Sequence, residues 1–329
     1  MKKLHLLFLI LWSSFIIKAQ SFNCNIPICE VPNSYSFTFE DSNTVYYNGQ
    51  TIRLQLAQNL YWKLNENINT TYNNLSLELV DQSTGKRLDN RIAQMSSATN
   101  AILTDFTNIL QSYSLNSSAF ESGDTAQPGQ AGLLVSRQLD ANGWEADQQY
   151  AKMLIGALCL DQIVNKYLSS SLFNKDNYDR TYSQSPGPYT HREHAFDEGY
   201  GYVYGMDDDS STVEINNSIL IGKYLNKHDG YYSGHNYRKI VFDAFNLARK
   251  ALIENCESEL QDQINIICIS LSEVVAWHAV NDLTDAIMEI YTSNDNPDFN
   301  HAISQAWGFI YSLQFTKMAD GNPLFTYAE

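Results

Sequence analysis

TIRLQLAQNLYWKL, residues 51–64, sets Ile52, Leu56, Leu60 and Leu64 four positions apart. That recurrence puts them on one stripe of an α-helix and gives a strand no consistent inner face. The same period returns further along. Leu88, Ile92, Met95, Ile102, Phe106, Leu110 and Tyr113 predict a long amphipathic helix over about 86–113. Ala146, Tyr150, Met153, Leu154, Ala157, Leu158 and Val164 predict a third over 144–168. Three more follow at about 237–256, 260–291 and 298–316. The polar run TTYNNLS breaks the chain after the first helix, and the glycine- and proline-bearing stretch from Ser114 to Asp140 reads as a loop. Repeated helix–strand alternation is absent, so the fold class is all-α.

Outward from this helical body, the N-terminus has its own character. MKKLHLLFLILWSSFIIKAQ joins two lysines, an apolar run and small polar residues, the pattern of a secretory signal peptide ending near Ala19. Residues 20–48, with Pro27, Pro32 and the alternating YSFTFE, read as an extended lead-in with one short strand. The helical domain is expected over 49–329, as two packed lobes, 49–170 and 185–329. No second apolar run reaches the roughly 18 residues that a membrane span needs. The chain is therefore expected to be exported, to the periplasm or cell exterior, with no transmembrane segment after signal cleavage.

The formal charge of −16 moves to −19 when residues 1–19, with their three lysines, are removed. So acidic a chain is a poor partner for nucleic acid and concentrates cations near its surface. Five cysteines are too few for a disulfide scaffold. In an oxidising compartment Cys24 pairs naturally with Cys29 and Cys256 with Cys268, leaving Cys159 as a small buried hydrophobe.

Metal-competent side chains concentrate in PYTHREHAFDEGYGYVYG, residues 188–205. On a helix, His191 and His194 lie three apart, His194 and Asp197 three apart, and His194 and Glu198 four apart, so all share a face. They read either as ligands converging on one cation or as a hydrogen-bonded pair on the surface. One helix supplies too few ligands, so Glu145, His278 or His301 would have to complete the set from other helices. Glu145 shares a polar face with Gln149, Lys152 and Gly156; His301 and Gln305 lie four apart; His278 sits on an apolar stripe. Each glycine within a helix costs about 1 kcal/mol against alanine. Gly199 and Gly201 therefore mark a helix end or a close approach. The acid triplet Asp207–Asp209 lacks the spacing of an EF-hand.

HREH is neither HExxH nor HxxEH, and no GxSxG, Walker loop or dinucleotide fingerprint occurs. Taken in order, NGQTIRLQLAQNL, NGWEADQQYAKMLIGALCLDQIVNKYL, HREHAFDEGYGYVYG and HAISQAWGFIYSLQF resemble the DUF4856 family of exported Bacteroidota proteins, itself similar to the imelysins. The resemblance implies an imelysin-like fold of helical bundles and an association with iron uptake. It also implies a metal site on His194 and Asp197, with Glu198 beside them. Arg192 stands where imelysins carry a glycine, and Gln305 where the family has Glu.

Three functions follow as expectations. The first is an exported, non-enzymatic metal-binding protein of iron acquisition, binding iron or zinc or an iron chelate and handing it to a periplasmic or outer-membrane uptake partner. The second is a non-catalytic helical scaffold for a protein or peptide, and the third a metallopeptidase.

Overall fold

A computed structural model describes residues 31–66, 68–181, 187–207, 220–231, 236–291 and 297–329. Within them the order is β1 (Thr38–Phe39), β2 (Ser42–Asn43), α1 (Asn48–Lys63), α2 (Tyr72–Leu77), α3 (Thr99–Ser122), β3 (Gly132–Leu134), β4 (Arg137–Leu139), α4 (Ala146–Leu154), α5 (His191–Tyr204), α6 (Ile221–Tyr231), α7 (Tyr237–Ile253), α8 (Glu257–Glu289) and α9 (Pro297–Ser312). The fold is all-α, its strands confined to two antiparallel hairpins.

Several boundaries move from those the period predicts. The helix expected over 86–113 begins only at Thr99, after a 3₁₀ turn at Asp89–Arg91, and continues to Ser122. Gly123 ends it at φ +70°, the left-handed conformation that glycine adopts without steric cost. The β3–β4 hairpin lies in what reads as a loop, because its six residues are too short to show a period. α2 and α6 are likewise helices that the apolar spacing does not announce.

The core is one cluster running from Tyr35 to Phe315 and drawing on every long helix. α7 and α8 form a helical hairpin through 254–256, where Asn255 turns the chain at φ +56°. α8 is long and apolar enough to cross a membrane, against the expectation that no second run would be, and 67% of its apolar window is buried inside the fold. Its apolarity serves the core. Cys256 is disulfide-bonded, but Cys268 and Cys159 are free thiols, so the 256–268 bridge is not formed. Residues 1–30, with the signal segment, Cys24 and Cys29, lie outside the described residues, as do Asp208 and Asp209.

α4 and α9 pack as parallel helices at a constant sequence offset of 156: Glu145 meets His301 and Gly156 meets Ser312. Between these, a Cβ on Gly308 would stand 2.5 Å from Lys152 Cβ, so only glycine permits this approach. Beyond Leu154 the helix continues as π-helix over Ile155–Leu160 and again over Ile163–Tyr167. The Ser312 hydroxyl explains the first widening. It accepts from Gly156 N–H at 3.0 Å and donates to the Lys152 carbonyl at 2.7 Å, standing between the two groups that an α-helix would bond directly.

Ser312→Ala should therefore leave a buried N–H and a buried carbonyl unmet. A loss of about 2–4 kcal/mol is expected in urea unfolding. A change below about 0.5 kcal/mol would show that the helix closes its own bond once the hydroxyl is gone.

Candidate functional site

α5 is set by a capping box. Thr190 Oγ1 accepts from Glu193 N–H at 3.1 Å, and the Glu193 carboxylate accepts from Thr190 N–H at 2.9 Å. The helix runs through both motif glycines. Gly201 marks a close approach: an added Cβ would lie 2.5 Å from Tyr47 Cβ, at the start of α1.

One face of α5 is occupied by Arg249 of α7, which is fully buried. Its Nε donates to Asp197 Oδ1 at 2.9 Å, its Nη1 to Glu193 Oε1 at 3.1 Å and its Nη2 to Thr44 Oγ1 at 3.1 Å. Tyr35 OH donates to the same Asp197 oxygen at 2.7 Å, and Tyr46 N–H reaches Oδ2 at 3.4 Å. Arg180 grips Glu193 through both carboxylate oxygens, at 2.7 and 2.8 Å. Burial pushes the Glu193 carboxyl up, but Arg249 and Arg180 outweigh it and hold it below its ordinary value. Burial also pushes Asp197 up, against the pull of Arg249.

This arrangement bears directly on the metal centre expected on α5. Asp197 has both oxygens engaged and a guanidinium at hydrogen-bond distance, so a cation there would meet a fixed positive charge. Glu198 points elsewhere, accepting from Gln50 at 2.7 Å and Tyr167 at 3.2 Å. His194, half-buried, packs against Tyr189 and Tyr46, with centroids 4.7 and 5.8 Å away, and the two tyrosine rings themselves lie 6.2 Å apart. His191 opens the helix within the field of Asp179. His278 is buried and bonded to the Tyr224 carbonyl at 3.0 Å; burial holds it down to about 3, so it is neutral. Neither His278, Glu145 nor His301 joins α5. Among the described residues no group of three or more His, Cys, Asp or Glu is placed to hold a metal ion.

What does converge is a polar seam along α4 and α9, with α1, α6 and α8 closing it. Glu145 Oε2 lies 2.9 Å from His301 Nδ1, the one pair among the predicted residues that the fold brings together across helices. Arg137, from β4, sits at the mouth: its Nη1 is 2.6 Å from His301 Nδ1 and 3.5 Å from Glu145 Oε1, and its Nη2 donates to Asp298 at 2.7 Å. Deeper in, the buried Lys152 ammonium donates to Gln148 and lies 5.9 and 5.6 Å from the Tyr61 and Tyr224 ring centroids. Burial lowers it to about 8 and raises Asp147 to about 6, with Glu145 adding to the latter shift. Asp282 is raised too, first by burial. Glu145 Oε1, Gln305 Oε1, Asp282 Oδ2 and His278 Nδ1 are buried without a hydrogen bond. An acid and an amine with displaced proton affinities can exchange protons near neutrality, and the unmet atoms accept donors.

The model of the family described as "Domain of unknown function (DUF4856)" matches residues 32–329. The chain belongs to this family. Comparison of this DUF4856 chain with curated proteins and with solved structures gives no match.

Arg249, Asp147 and Asp282 are the site residues of this DUF4856 chain that periodicity misses. Each interrupts a helix face that is otherwise apolar, as Arg249 does between Phe245 and Leu252, and that intrusion is the signal. Arg249→Met should cost about 3–5 kcal/mol, because it strands two buried carboxylates, whereas His194→Ala should cost under about 1 kcal/mol. Equal losses in chemical unfolding would contradict this ranking. For Lys152 the sign runs the other way from a paired lysine. Its folded value of about 8 lies below the ordinary 10.5, so burial penalises the charged form and the penalty lifts as pH rises between those values. Wild type should therefore gain stability on Lys152→Met between pH 8 and 10.5, by an amount on the order of 3 kcal/mol, read from paired denaturation series.

Proposed function

We propose that this protein is an exported, non-catalytic helical scaffold whose recognition centre is the polar seam, and that it binds a peptide or protein presenting a cationic, donor-rich side chain. One observation carries the reading: Glu145 Oε1 and Gln305 Oε1, buried at the mouth, accept no hydrogen bond, while the partly exposed Arg137 guanidinium stands 3.5 Å from Glu145 Oε1 and both Arg137 and Gln305 reach His301. Buried acceptors are seldom left unmet, and each costs about 1–3 kcal/mol. A partner's arginine or lysine would satisfy both by taking the place of Arg137. The fork of an arginine suits a carboxylate best.

The contact between Glu145 and His301 favours a second reading, in which the same mouth takes iron or zinc, since imidazole and carboxylate suit both. Export to the periplasm or cell exterior, a Bacteroidota origin, an imelysin-like relationship and a link to iron acquisition through an uptake partner belong to this proposal. They rest on the resemblance and on the signal-like N-terminus.

Isothermal titration of arginine-, lysine- and alanine-centred tripeptides separates the readings. Arg137→Gln should bind the arginine peptide more tightly than wild type does, and Glu145→Gln should abolish the binding. Discrimination failing in all three proteins would reject the scaffold reading. Stoichiometric uptake of Fe(II) or Zn(II) alone, lost in Glu145→Gln and His301→Ala, would put the metal reading in its place.

A further inference from the structure

The other face of α5 leads to a second, separate cluster. Glu198 and Tyr202, four residues apart, look toward α1, the 3₁₀ turn at Asp89–Arg91 and the π-helical segment Ile163–Tyr167. Three cations gather there. Arg53, 4% exposed, donates only to backbone carbonyls, Nε to Arg87 O at 3.1 Å and Nη1 to Gly49 O at 2.9 Å. Arg91 donates through Nη1 to Gln94 at 3.0 Å, and its buried Nε has no acceptor. Lys166 donates to Gln94 at 2.8 Å and Gln162 at 3.3 Å. None of the three forms an ion pair with a described residue, although acids outnumber basic residues 37 to 21 in the chain.

Gln94 Oε1 accepts from both Arg91 and Lys166, and the Lys166 ammonium lies 4.8 Å from the ring of Tyr167, whose centroid is 6.2 Å from that of Tyr202. Lys166 is pushed down to about 8 by burial and then by Arg91, with Arg53 adding to the effect. Tyr202, 1% exposed, lies in the field of Tyr167, Arg53 and Arg91, and its hydroxyl has no partner. Two acids are close by. Glu198 is engaged by Gln50 and Tyr167. Asp161 accepts from Met95 N–H at 3.0 Å through Oδ2, and burial raises it to about 6. Like charges left unpaired in a half-buried place repel, and a buried donor without an acceptor adds to that cost. An anion bearing several oxygens relieves both, and guanidinium groups match oxyanions by geometry.

We propose that Arg53, Arg91 and Lys166, with the Tyr202 hydroxyl, form a binding site for an oxyanion, either phosphate or sulfate or the carboxylate of an organic acid. Arg91, Lys166 and Glu198 are only half-buried, so the site reaches the surface. The anion accepts from Arg91 Nε and Tyr202 O–H, two buried donors of this cluster that have no hydrogen-bond partner. Glu198 holds Tyr167 and Gln50 in place at the rim.

The test titrates the full chain with phosphate, sulfate and succinate at constant ionic strength, with chloride as control, following heat of binding and thermal midpoint. At least one oxyanion should bind and raise the midpoint where chloride does not. A response to phosphate and sulfate assigns an inorganic or phosphoryl ligand; a response to succinate alone assigns an organic acid. Tyr202→Phe removes a hydroxyl that bonds nothing in the chain, so its midpoint without anion should stay at that of wild type. Its affinity should fall about tenfold, the loss of one hydrogen bond to a charged group. Arg91→Gln should abolish the response while keeping the helical circular dichroism. Oxyanions acting no differently from chloride, or both variants responding like wild type, would overturn the proposal.

Discussion

A guanidinium without water must be surrounded by acceptors, and that requirement on Arg249 organises the molecule. Its two carboxylates come from successive turns of α5, its hydroxyl partner from the segment after β2, and its own backbone from α7. Three distant stretches are thereby fixed to one charge. Removing any partner leaves a charge in a medium that cannot solvate it, which makes the arrangement cooperative. Tyr35 adds a fourth stretch by stacking on Tyr200 with centroids 3.5 Å apart and sharing Asp197.

This constraint also divides α5 by function. Glu193, Asp197, Tyr200 and Tyr204 face the arginine or the aromatic core and hold the fold. His194, Glu198 and Tyr202 face the opposite way, toward tyrosines and cations. Two members of the densest cluster of metal-competent residues in the sequence, Glu193 and Asp197, therefore act as a clamp on Arg249.

The helical class was legible because the four-residue recurrence at Ile52, Leu56, Leu60 and Leu64 has only one structural solution. The start of α3 was not, since Leu88 and Ile92 continue the apolar pattern while the chain makes only a 3₁₀ turn there. Burial, which the pattern reports, does not require a helix. At the site, Glu145 and His301 were legible as polar residues on apolar helices, and the fold pairs them. Asp197 was legible as a face neighbour of His194 but not as the partner of a buried arginine. Spacing states which residues can share a face, but nothing around His194 in the sequence reveals that an arginine 52 residues further on will claim the acid. The pairing of α4 with α9 is likewise invisible locally, because the glycines that admit it, Gly156 opposite Ser312 and Gly308 opposite Lys152, make sense only once the two helices meet.

That last pairing bears on how the chain reaches its fold. Two helices in parallel register, 156 residues apart in sequence, meet only after everything between them has been made and positioned, and contacts of such long sequence separation slow folding. Until α9 arrives, the flank of α4 that carries Lys152 and Gly156 has nothing to cover it. α9 is therefore the piece that closes this flank, and ribosome-bound intermediates lacking it would expose the flank to chaperones and proteases.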